Sequence, residues 1–292
     1  MSKRGAERAA QRRRLMGLQT LIGDGPPQGF FIPYRYADQV PRRAERLPYA
    51  AVTAAFEIAK PAFLSLFDGL DASAESLQAI GAEAPPPQPR WNQDWFPRLD
   101  AAAAYVFVRD RAPQRIVEIG SGHSTRFFAR AVADGGLATR IDAIDPAPRA
   151  DLAGLPVRLH RMTLQQVDLA LFEDLAPGDF VSIDSSHILM PGTDVDWFLG
   201  QVLPRLPAGV LLHVHDVFLP NSYPAAWEWR GYNEQQAWAP LLAVQAFRPL
   251  WSSHWASTRL TSRLARSVAA ALPLTSGAHE SSLWVEKTGS LG

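Results

Sequence analysis

The 292-residue chain contains no cysteine, and this absence removes several kinds of chemistry at once. Without thiols there are no disulfides, no thiolate zinc sites and no cysteine nucleophile, so any metal ion has to be held by His, Asp or Glu. The chain also lacks an excess of either charge, because 29 Lys and Arg balance 29 Asp and Glu. Charge alone therefore indicates no nucleic-acid or membrane partner.

Long apolar runs are missing as well. Hydrophobic residues make up 47% of the chain, but 24 prolines interrupt them, and no stretch approaches the roughly 18 uninterrupted apolar residues of a membrane span. The N-terminal stretch MSKRGAERAAQRRRLMGL is basic, and no apolar segment of the length that a secretory signal requires follows it. We therefore expect a cytoplasmic protein whose arginine-rich start is a solvated helical tail rather than a nucleic-acid-binding arm.

A proline-rich stretch, AEAPPPQPR at residues 82–90, is typical of an extended linker and divides the chain into two predicted parts. Residues 1–90 form a predicted N-terminal helical extension with linker, including an aromatic segment GFFIPYRYA and an apolar helix over residues 49–70 that Pro61 interrupts. Because the aromatic segment is too apolar to be left in water, we expect this head to close over a pocket or to join a neighbouring subunit in a homo-oligomer.

Residues 91–292 alternate between helical patterns and short apolar runs, and form the second predicted domain. Helices are predicted for FPRLDAAAAYVFVRDRAP, STRFFARAVADG and TDVDWFLGQVLPRL. Strands are predicted for RIVEI, TRIDAID, VRLHRM, DFVSID, GVLLHVHD, RPLWSSHW and SSLWVEKT. Strands that alternate with helices at this spacing indicate an α/β fold with a parallel, doubly wound sheet.

The first strand runs into a loop with two glycines, IVEIGSGHST, at the position where an open α/β sheet binds its ligand. Glycine permits a tight turn with positive φ and lets a ligand approach the backbone, and the next helix offers unpaired N–H groups. The E-x-G-x-G pattern differs from the dinucleotide pattern G-x-G-x-x-G, and no P-loop lysine follows. Asp145 closes the second strand, where it can accept both hydroxyls of a ribose, so the sequence predicts an adenosine-containing ligand.

These segments resemble a known family. VEIGSGHST, IDAIDP and FVSIDSSH are similar to the first, second and fourth motifs of class I S-adenosylmethionine-dependent methyltransferases, over about residues 91–288. With HVHDVFLPNSYP and RGYNEQ, the chain resembles the methyltransferase-24 type, a bacterial subgroup related to macrocin-type O-methyltransferases. The resemblance implies a Rossmann-like, seven-stranded sheet with an antiparallel last strand, and S-adenosylmethionine as cofactor. The residues expected to bind this cofactor are Glu118, Gly120, Ser121, Gly122, His123, Asp145 and Asp184.

Acidic and histidine side chains gather where the fourth and fifth strands end. Asp184 ends the fourth strand, His187 follows three residues later, and His215 and Asp216 end the fifth. Oxygen and imidazole ligands suit Mg²⁺, Mn²⁺ or Fe²⁺, so we expect Asp184, His215 and Asp216 to hold a divalent cation. The macrocin-type enzymes resemble this arrangement, and by that resemblance His187 is the base. His213, alone on an apolar strand, is interpreted as a core residue.

The segment FLPNSYPAAWEWRGYNEQQAW, residues 218–238, follows directly and combines prolines, glycine and aromatic residues. Such a composition indicates an ordered loop over the pocket. The residues expected to contact substrate are Tyr223, Trp227, Arg230, Tyr232, Asn233 and Glu234.

The sequence therefore favours a methyltransferase that acts on a hydroxyl of a small molecule with the help of a divalent metal ion. Two alternatives share the cofactor: a metal-free enzyme that methylates nitrogen or a carboxylate, and a binding protein that holds the cofactor without turnover. A third, an RNA methyltransferase using the basic N-terminus, is disfavoured by the neutral charge of the rest of the chain.

Overall fold

A seven-stranded sheet lies at the centre of the computed structural model, which describes residues 3–42 and 45–289. The strand order is β3-β2-β1-β4-β5-β7-β6. The strands are β1 Arg115–Ile119, β2 Arg140–Ile144, β3 Val157–His160, β4 Phe180–Ile183, β5 Leu211–Val214, β6 Phe247–Ser252 and β7 Leu283–Lys287.

The first five strands pair in parallel, and β7 is antiparallel to both β5 and β6. This confirms the predicted Rossmann-like sheet with an antiparallel last strand. The strand order reverses at β1, where Ile119 pairs with Ile144 on one side and Ile183 on the other. Carboxyl ends of β1, β2, β4 and β5 therefore meet at one edge, beside the topological switch point where such sheets bind ligands.

Ten α-helices are described, of which four precede β1 in the chain and six lie between successive strands. They are α1 Lys3–Ile22, α2 Ala50–Ala72, α3 Ala74–Gln78, α4 Arg98–Arg111, α5 His123–Gly135, α6 Ala170–Glu173, α7 Asp194–Trp197, α8 Gln235–Ala243, α9 Ser253–Arg259 and α10 Thr261–Leu264. After α7 the chain continues as a π-helix, Phe198–Val202, and a 3₁₀ turn, Leu203–Arg205. Further 3₁₀ turns in the described part of the chain are Ala37–Gln39, Leu164–Gln166, Ala225–Arg230 and Val268–Ala271.

Two predicted elements need correction. The α2 helix runs through Pro61 without interruption, because this proline lies on the exposed side, where water can satisfy the carbonyl that loses its backbone partner. The strand predicted for RPLWSSHW ends at Ser252 rather than at Trp255. The Ser252 hydroxyl accepts a hydrogen bond from the Trp255 backbone N–H at 3.1 Å, and this N-cap starts α9 instead of continuing the strand.

The inner face of α2 packs into the main hydrophobic core. Phe56 contacts Trp255 edge-on with ring centroids 5.5 Å apart, and Phe67 contacts Trp251 at 5.1 Å. By length and composition α2 is also the one described helix that could cross a membrane, and the core helix of a water-soluble domain passes the same test. The division of the chain at residue 90 stays a prediction.

Phe67→Ala should lower the free energy of unfolding by about 3–5 kcal/mol, because it removes a fully buried ring from the contact between α2 and β6. Chemical denaturation followed by tryptophan fluorescence measures the loss. Ile58→Ala, on the same helix but 74% exposed, is the matched control and should change stability by less than about 0.5 kcal/mol. Equal midpoints for the two variants would show that α2 is not docked on the sheet in solution.

Candidate functional site

The glycine loop after β1 has two glycines with different physical roles. Gly120 has φ +85°, and a Cβ at this position would lie 2.0 Å from the carbonyl oxygen of Asp184. This glycine therefore lets the loop after β1 press against the end of β4. A Cβ on Gly122 would meet no protein atom within 4 Å, so the space beside Gly122 is open to a ligand.

Asp145 shapes the loop from the end of β2. Its Oδ2 accepts hydrogen bonds from the Ser121 backbone N–H at 3.0 Å and from the Ser121 hydroxyl at 2.8 Å. Its Oδ1 accepts from the Ala147 N–H at 2.8 Å. A carboxylate has about four acceptor positions, so one remains, and rotation of the Ser121 hydroxyl frees a second.

Glu118 lies beneath the loop, fully buried, and does not line the cavity above it. Both of its carboxylate oxygens accept hydrogen bonds from hydroxyls of the first turn of α5, those of Ser124 and Thr125. Burial, together with the nearby charges of Asp184 and Asp145, raises the pKa of Glu118 to about 8 against these hydrogen bonds. The structure therefore shows Glu118 fixing the loop on the helix, and a contact with cofactor stays a prediction.

The four predicted metal and base residues do come together. The His187 Nε2 lies 3.3 Å from an Asp184 carboxylate oxygen and 3.5 Å from one of Asp216. The His215 Nδ1 lies 3.4 Å from the same Asp184 oxygen and 3.6 Å from Asp216. Two imidazole nitrogens thus face two carboxylates across a small gap. As the side chains stand, no group of three or more His, Asp or Glu residues in the described part of the chain has the geometry of a metal site.

The other nitrogen of each imidazole is held by a buried carboxylate. The His187 Nδ1 is 2.9 Å from an oxygen of Glu234, and the His215 Nε2 is 3.2 Å from an oxygen of Asp100. Asp100 also accepts hydrogen bonds from the backbone N–H groups of Ser281 and Ser282. These partners fix the orientation of both rings, so that the free nitrogens point toward Asp184 and Asp216.

Electrostatics in this cluster are strongly coupled. Burial alone would lower the pKa of His187, but its interactions with Asp184, Glu234 and Asp216 raise it well above the ordinary value. Burial likewise opposes the charged form of His215, and the charges of Asp184 and Asp216 raise its pKa well above the usual range. Burial would raise the pKa of Asp184, yet His215 and His187 hold it well below its usual value. The surrounding carboxylates therefore favour the protonated form of both imidazoles.

Two residues of the cluster adopt left-handed backbone conformations. His187 has φ +58° and Asp216 has φ +56°, a region that side chains other than glycine rarely occupy. The backbone N–H groups of Asn233 and Glu234 donate to the His187 carbonyl at 3.1 and 3.3 Å and so help to hold its turn. Residues kept in such conformations by their surroundings cluster at functional sites.

A cavity of about 1700 Å³ opens above the loop and the cluster. Its wall includes the glycine loop, Asp145, Asp184, His187, His215 and Asp216. The predicted substrate contacts that line it are Trp227, Arg230, Tyr232 and Asn233. Tyr223 is buried behind the wall, where its hydroxyl accepts from the Gln235 N–H, and Glu234 lies behind His187. The loop over the pocket is more regular than predicted, because it contains the 3₁₀ turn Ala225–Arg230 and leads into α8.

The remaining histidines near the loop have different environments. His123 begins α5 and lines the cavity, its Nδ1 is buried without a hydrogen-bond partner, and burial with the charges of Arg126 and Arg90 lowers its pKa to about 4. His213 is fully buried between Ser182 and Ser282, whose hydroxyls lie 2.8 Å from its two ring nitrogens. The interpretation of His213 as a core residue is thus confirmed.

Sequence reasoning missed Asp100. The signal was a carboxylate in the apolar, alanine-rich helical segment RLDAAAAYVFV, where a buried charge needs a partner. The partner, His215, is 115 residues away in sequence, so only the folded chain identifies it.

Comparisons with known proteins gave one family match and several similar solved structures. A family model described as a methyltransferase domain, the methyltransferase-24 type, matches residues 117–217. A comparison with curated protein sequences gave no match.

Among solved structures, similar ones include an O-methyltransferase from Bacillus cereus in complex with SAH, 14% identical, which covers 77% of this chain and 91% of its own with a TM-score of 0.40. TomG, an O-methyltransferase from Streptomyces achromogenes involved in tomaymycin synthesis, is 16% identical and covers 83% and 92%, with a TM-score of 0.40. PaMTH1, an SAH-bound methyltransferase from Podospora anserina, is 16% identical and covers 89% and 99%, with a TM-score of 0.38.

The segment that matches the family begins in β1 and ends just beyond β5. It contains the glycine loop, the carboxylate at the end of β2, and the acidic and histidine cluster at the ends of β4 and β5. Over residues 117–217 the chain is therefore similar to the methyltransferase domain of the methyltransferase-24 type.

Proposed function

We propose that this enzyme transfers the methyl group of S-adenosylmethionine to a hydroxyl oxygen of a small molecule, with His187 as the base and a divalent cation at Asp184, His215 and Asp216. The observation that carries the proposal is the convergence of two oriented imidazoles on two carboxylates at the wall of the cavity. A cytoplasmic location and a homo-oligomer stay predictions.

The cofactor half of the proposal is supported by the loop. Open space beside Gly122 leaves room for the methionine part of the cofactor next to the backbone, and Ser121 and His123 border the same space. Asp145 has acceptor positions for ribose hydroxyls at the end of β2. Gly120 brings this loop against Asp184, so the cofactor and the reacting hydroxyl are expected to be neighbours.

The chemistry of the donor set fits a divalent cation, although the side chains do not yet have ligand geometry. Asp184 and Asp216 would supply anionic oxygen donors and His215 an imidazole nitrogen, and the His215 Nδ1 lies 3.4 and 3.6 Å from oxygens of the two carboxylates. The carboxylate behind His215 is also the arrangement that metal-bound imidazoles use.

His187 needs a neutral ring to act as a base. The carboxylates around it keep the ring protonated as long as imidazolium is their positive partner. Asp184 and Asp216 bound to a cation would no longer hold that proton, which is the electrostatic reason to propose one. A bound cation would also make the substrate hydroxyl more acidic and orient it.

The chain's own residues then perform the remaining steps. Glu234 accepts a hydrogen bond from the His187 Nδ1–H, which leaves the Nε2 lone pair facing the cavity to take the hydroxyl proton. The Tyr232 ring packs on His187 with centroids 4.7 Å apart and excludes water from one side of the base. The sulfonium supplies the reactivity, so the protein contributes alignment and proton removal.

A metal-free enzyme is the second candidate, because protonated His187 and His215 can themselves neutralise the carboxylates. In that case the cluster only positions an acceptor, such as a nitrogen or a carboxylate, that needs no base of this kind. Metal content separates the two candidates.

Asp145→Asn should weaken S-adenosylhomocysteine binding roughly 10- to 100-fold, because a charged acceptor of ribose hydroxyls becomes neutral. Isothermal titration calorimetry measures the dissociation constant. Asp174→Asn, an exposed aspartate outside the cavity wall, is the matched control and should bind as the unaltered protein does. An unchanged affinity in Asp145→Asn would place the ribose elsewhere.

Asp184→Asn and Asp216→Asn should lower both the amount of Mn²⁺ bound and the rate of methyl transfer, because each removes an anionic oxygen donor. His187→Ala should retain metal and cofactor and lose about 10²- to 10⁴-fold in rate. Elemental analysis of the purified variants and transfer of labelled methyl groups to a pool of hydroxylated small molecules, with and without chelator, make the measurement.

Each outcome of that experiment assigns a role. Turnover that chelator does not affect would remove the ion from the mechanism and favour the metal-free candidate. Loss of metal in His187→Ala would make this residue a ligand and direct the search for a base to His123. His215→Ala should resemble the aspartate variants if His215 is a ligand.

A further inference from the structure

Arginines in the cavity wall are not used by the proposed methyl transfer. We infer that the acceptor molecule carries an anionic group, a carboxylate or a phosphate, which the arginines of α1 and Arg230 bind while the hydroxyl lies at His187. This inference rests on the proposed function and adds the class of substrate to it.

The α1 helix turns its arginine-bearing face toward the cavity. Arg12, Met16 and Thr20, four residues apart and therefore on one side of a helix, all line the cavity. Leu15 and Leu18 lie on the opposite side and are 56% and 55% exposed. If α1 served only to pack on the domain, it would be expected to bury its leucines there. The observed orientation, with the arginines toward the cavity, therefore indicates that the basic face binds a ligand.

Most of the acidic side chains on this wall have hydrogen-bond or ion-pair partners, whereas two of the arginines have none among the described residues. Five arginines and five aspartates line the cavity. Four of these aspartates, Asp145, Asp184, Asp194 and Asp216, already have hydroxyl, backbone or imidazole partners. Arg8 and Arg12 have no hydrogen bond or ion pair with any residue of the described ranges. Guanidinium groups at a concave surface without a partner are suited to carboxylate or phosphate.

Arg230 connects this basic face with the reacting end of the cavity. Its guanidinium lies over the Trp227 ring at 4.1 Å and donates from Nη1 to the Tyr232 hydroxyl at 2.9 Å, while its Nε is buried without a partner. The Tyr232 ring in turn packs on His187. Arg13 donates to the Trp229 carbonyl, so α1 and the turn that bears Arg230 are in direct contact.

The positions of Arg230 and His187 define the distance expected between the anionic group and the reacting hydroxyl of the acceptor. Arg230 is separated from His187 by one tyrosine side chain, so the anionic group and the reacting hydroxyl should lie about one aromatic ring apart. Trp227 and Tyr232 both line the cavity and contact each other edge-on with ring centroids 6.1 Å apart, so together they offer an aromatic wall on which a flat body can pack. A hydroxyaryl carboxylate or a hydroxyaryl phosphate has this combination of features.

Binding to the complex with S-adenosylhomocysteine tests the inference with three probes of one shape. The probes are 4-hydroxybenzoate, 4-hydroxyphenyl phosphate and the neutral 4-hydroxybenzamide, and ligand-observed NMR titration gives their dissociation constants. We expect at least one of the anions to bind about tenfold or more tightly than the amide. The preferred anion distinguishes a carboxylate from a phosphate as the natural group.

Variants of single arginines test which side chains cause the preference for anionic probes. Arg12→Gln and Arg230→Gln should each reduce the preference for the anion several-fold and leave the affinity for S-adenosylhomocysteine unchanged. Arg14→Gln, on the same helix but exposed and outside the cavity wall, is the control and should keep the full preference. Arg12 is itself exposed, so its substitution should leave folding intact.

Equal affinity for anions and amide, binding of none of the three probes, or an unchanged preference in both cavity variants would overturn the inference. The readout is independent of turnover. A failure to methylate any hydroxyl would therefore count against the proposed function, while the preference for an anion would still be measured.

Discussion

Neutralising buried carboxylates is the constraint on which the site and much of the surrounding structure depend. Two imidazoles beneath the cavity are surrounded by three of them, Asp100, Asp216 and Glu234, and by the partly exposed Asp184. An unpaired buried charge costs several kcal/mol, so positive partners must be present. The imidazoles meet this need when they are protonated, and a divalent cation would meet it while leaving them neutral. Charge balance therefore decides whether His187 holds a proton or can take one.

The same constraint joins the site to the fold. Asp100 lies on α4, pairs with His215 at the end of β5, and accepts backbone hydrogen bonds from the residues that lead into β7. Glu234, just before α8, holds His187 after β4. Residues of α4 and of the turn before α8 thus orient the two rings, so the geometry of the site depends on the packing of these elements.

Local patterns were sufficient to predict the sheet and the strand-end residues. Short apolar runs identify all seven strands, because buried strands leave a continuous signal, and the carboxyl ends of neighbouring parallel strands must meet. Long-range partners were beyond such patterns. Nothing near Asp100 in sequence indicates His215, and nothing near Glu234 indicates that its carboxylate turns behind His187 rather than toward a substrate. The basic N-terminal stretch forms an exposed helix as predicted, but the sequence did not indicate that this helix lines the cavity.

Gly120 fixes the distance between the loop after β1 and Asp184 at the end of β4. Its α-carbon hydrogen faces the Asp184 carbonyl so closely that no side chain could be interposed, and the two loops therefore share one surface. A displacement of the loop that is expected to cradle the cofactor must move the carboxylate at the end of β4, and the reverse holds equally. With cofactor and acceptor placed as proposed, this shared surface would set the separation between the methyl donor and the reacting hydroxyl.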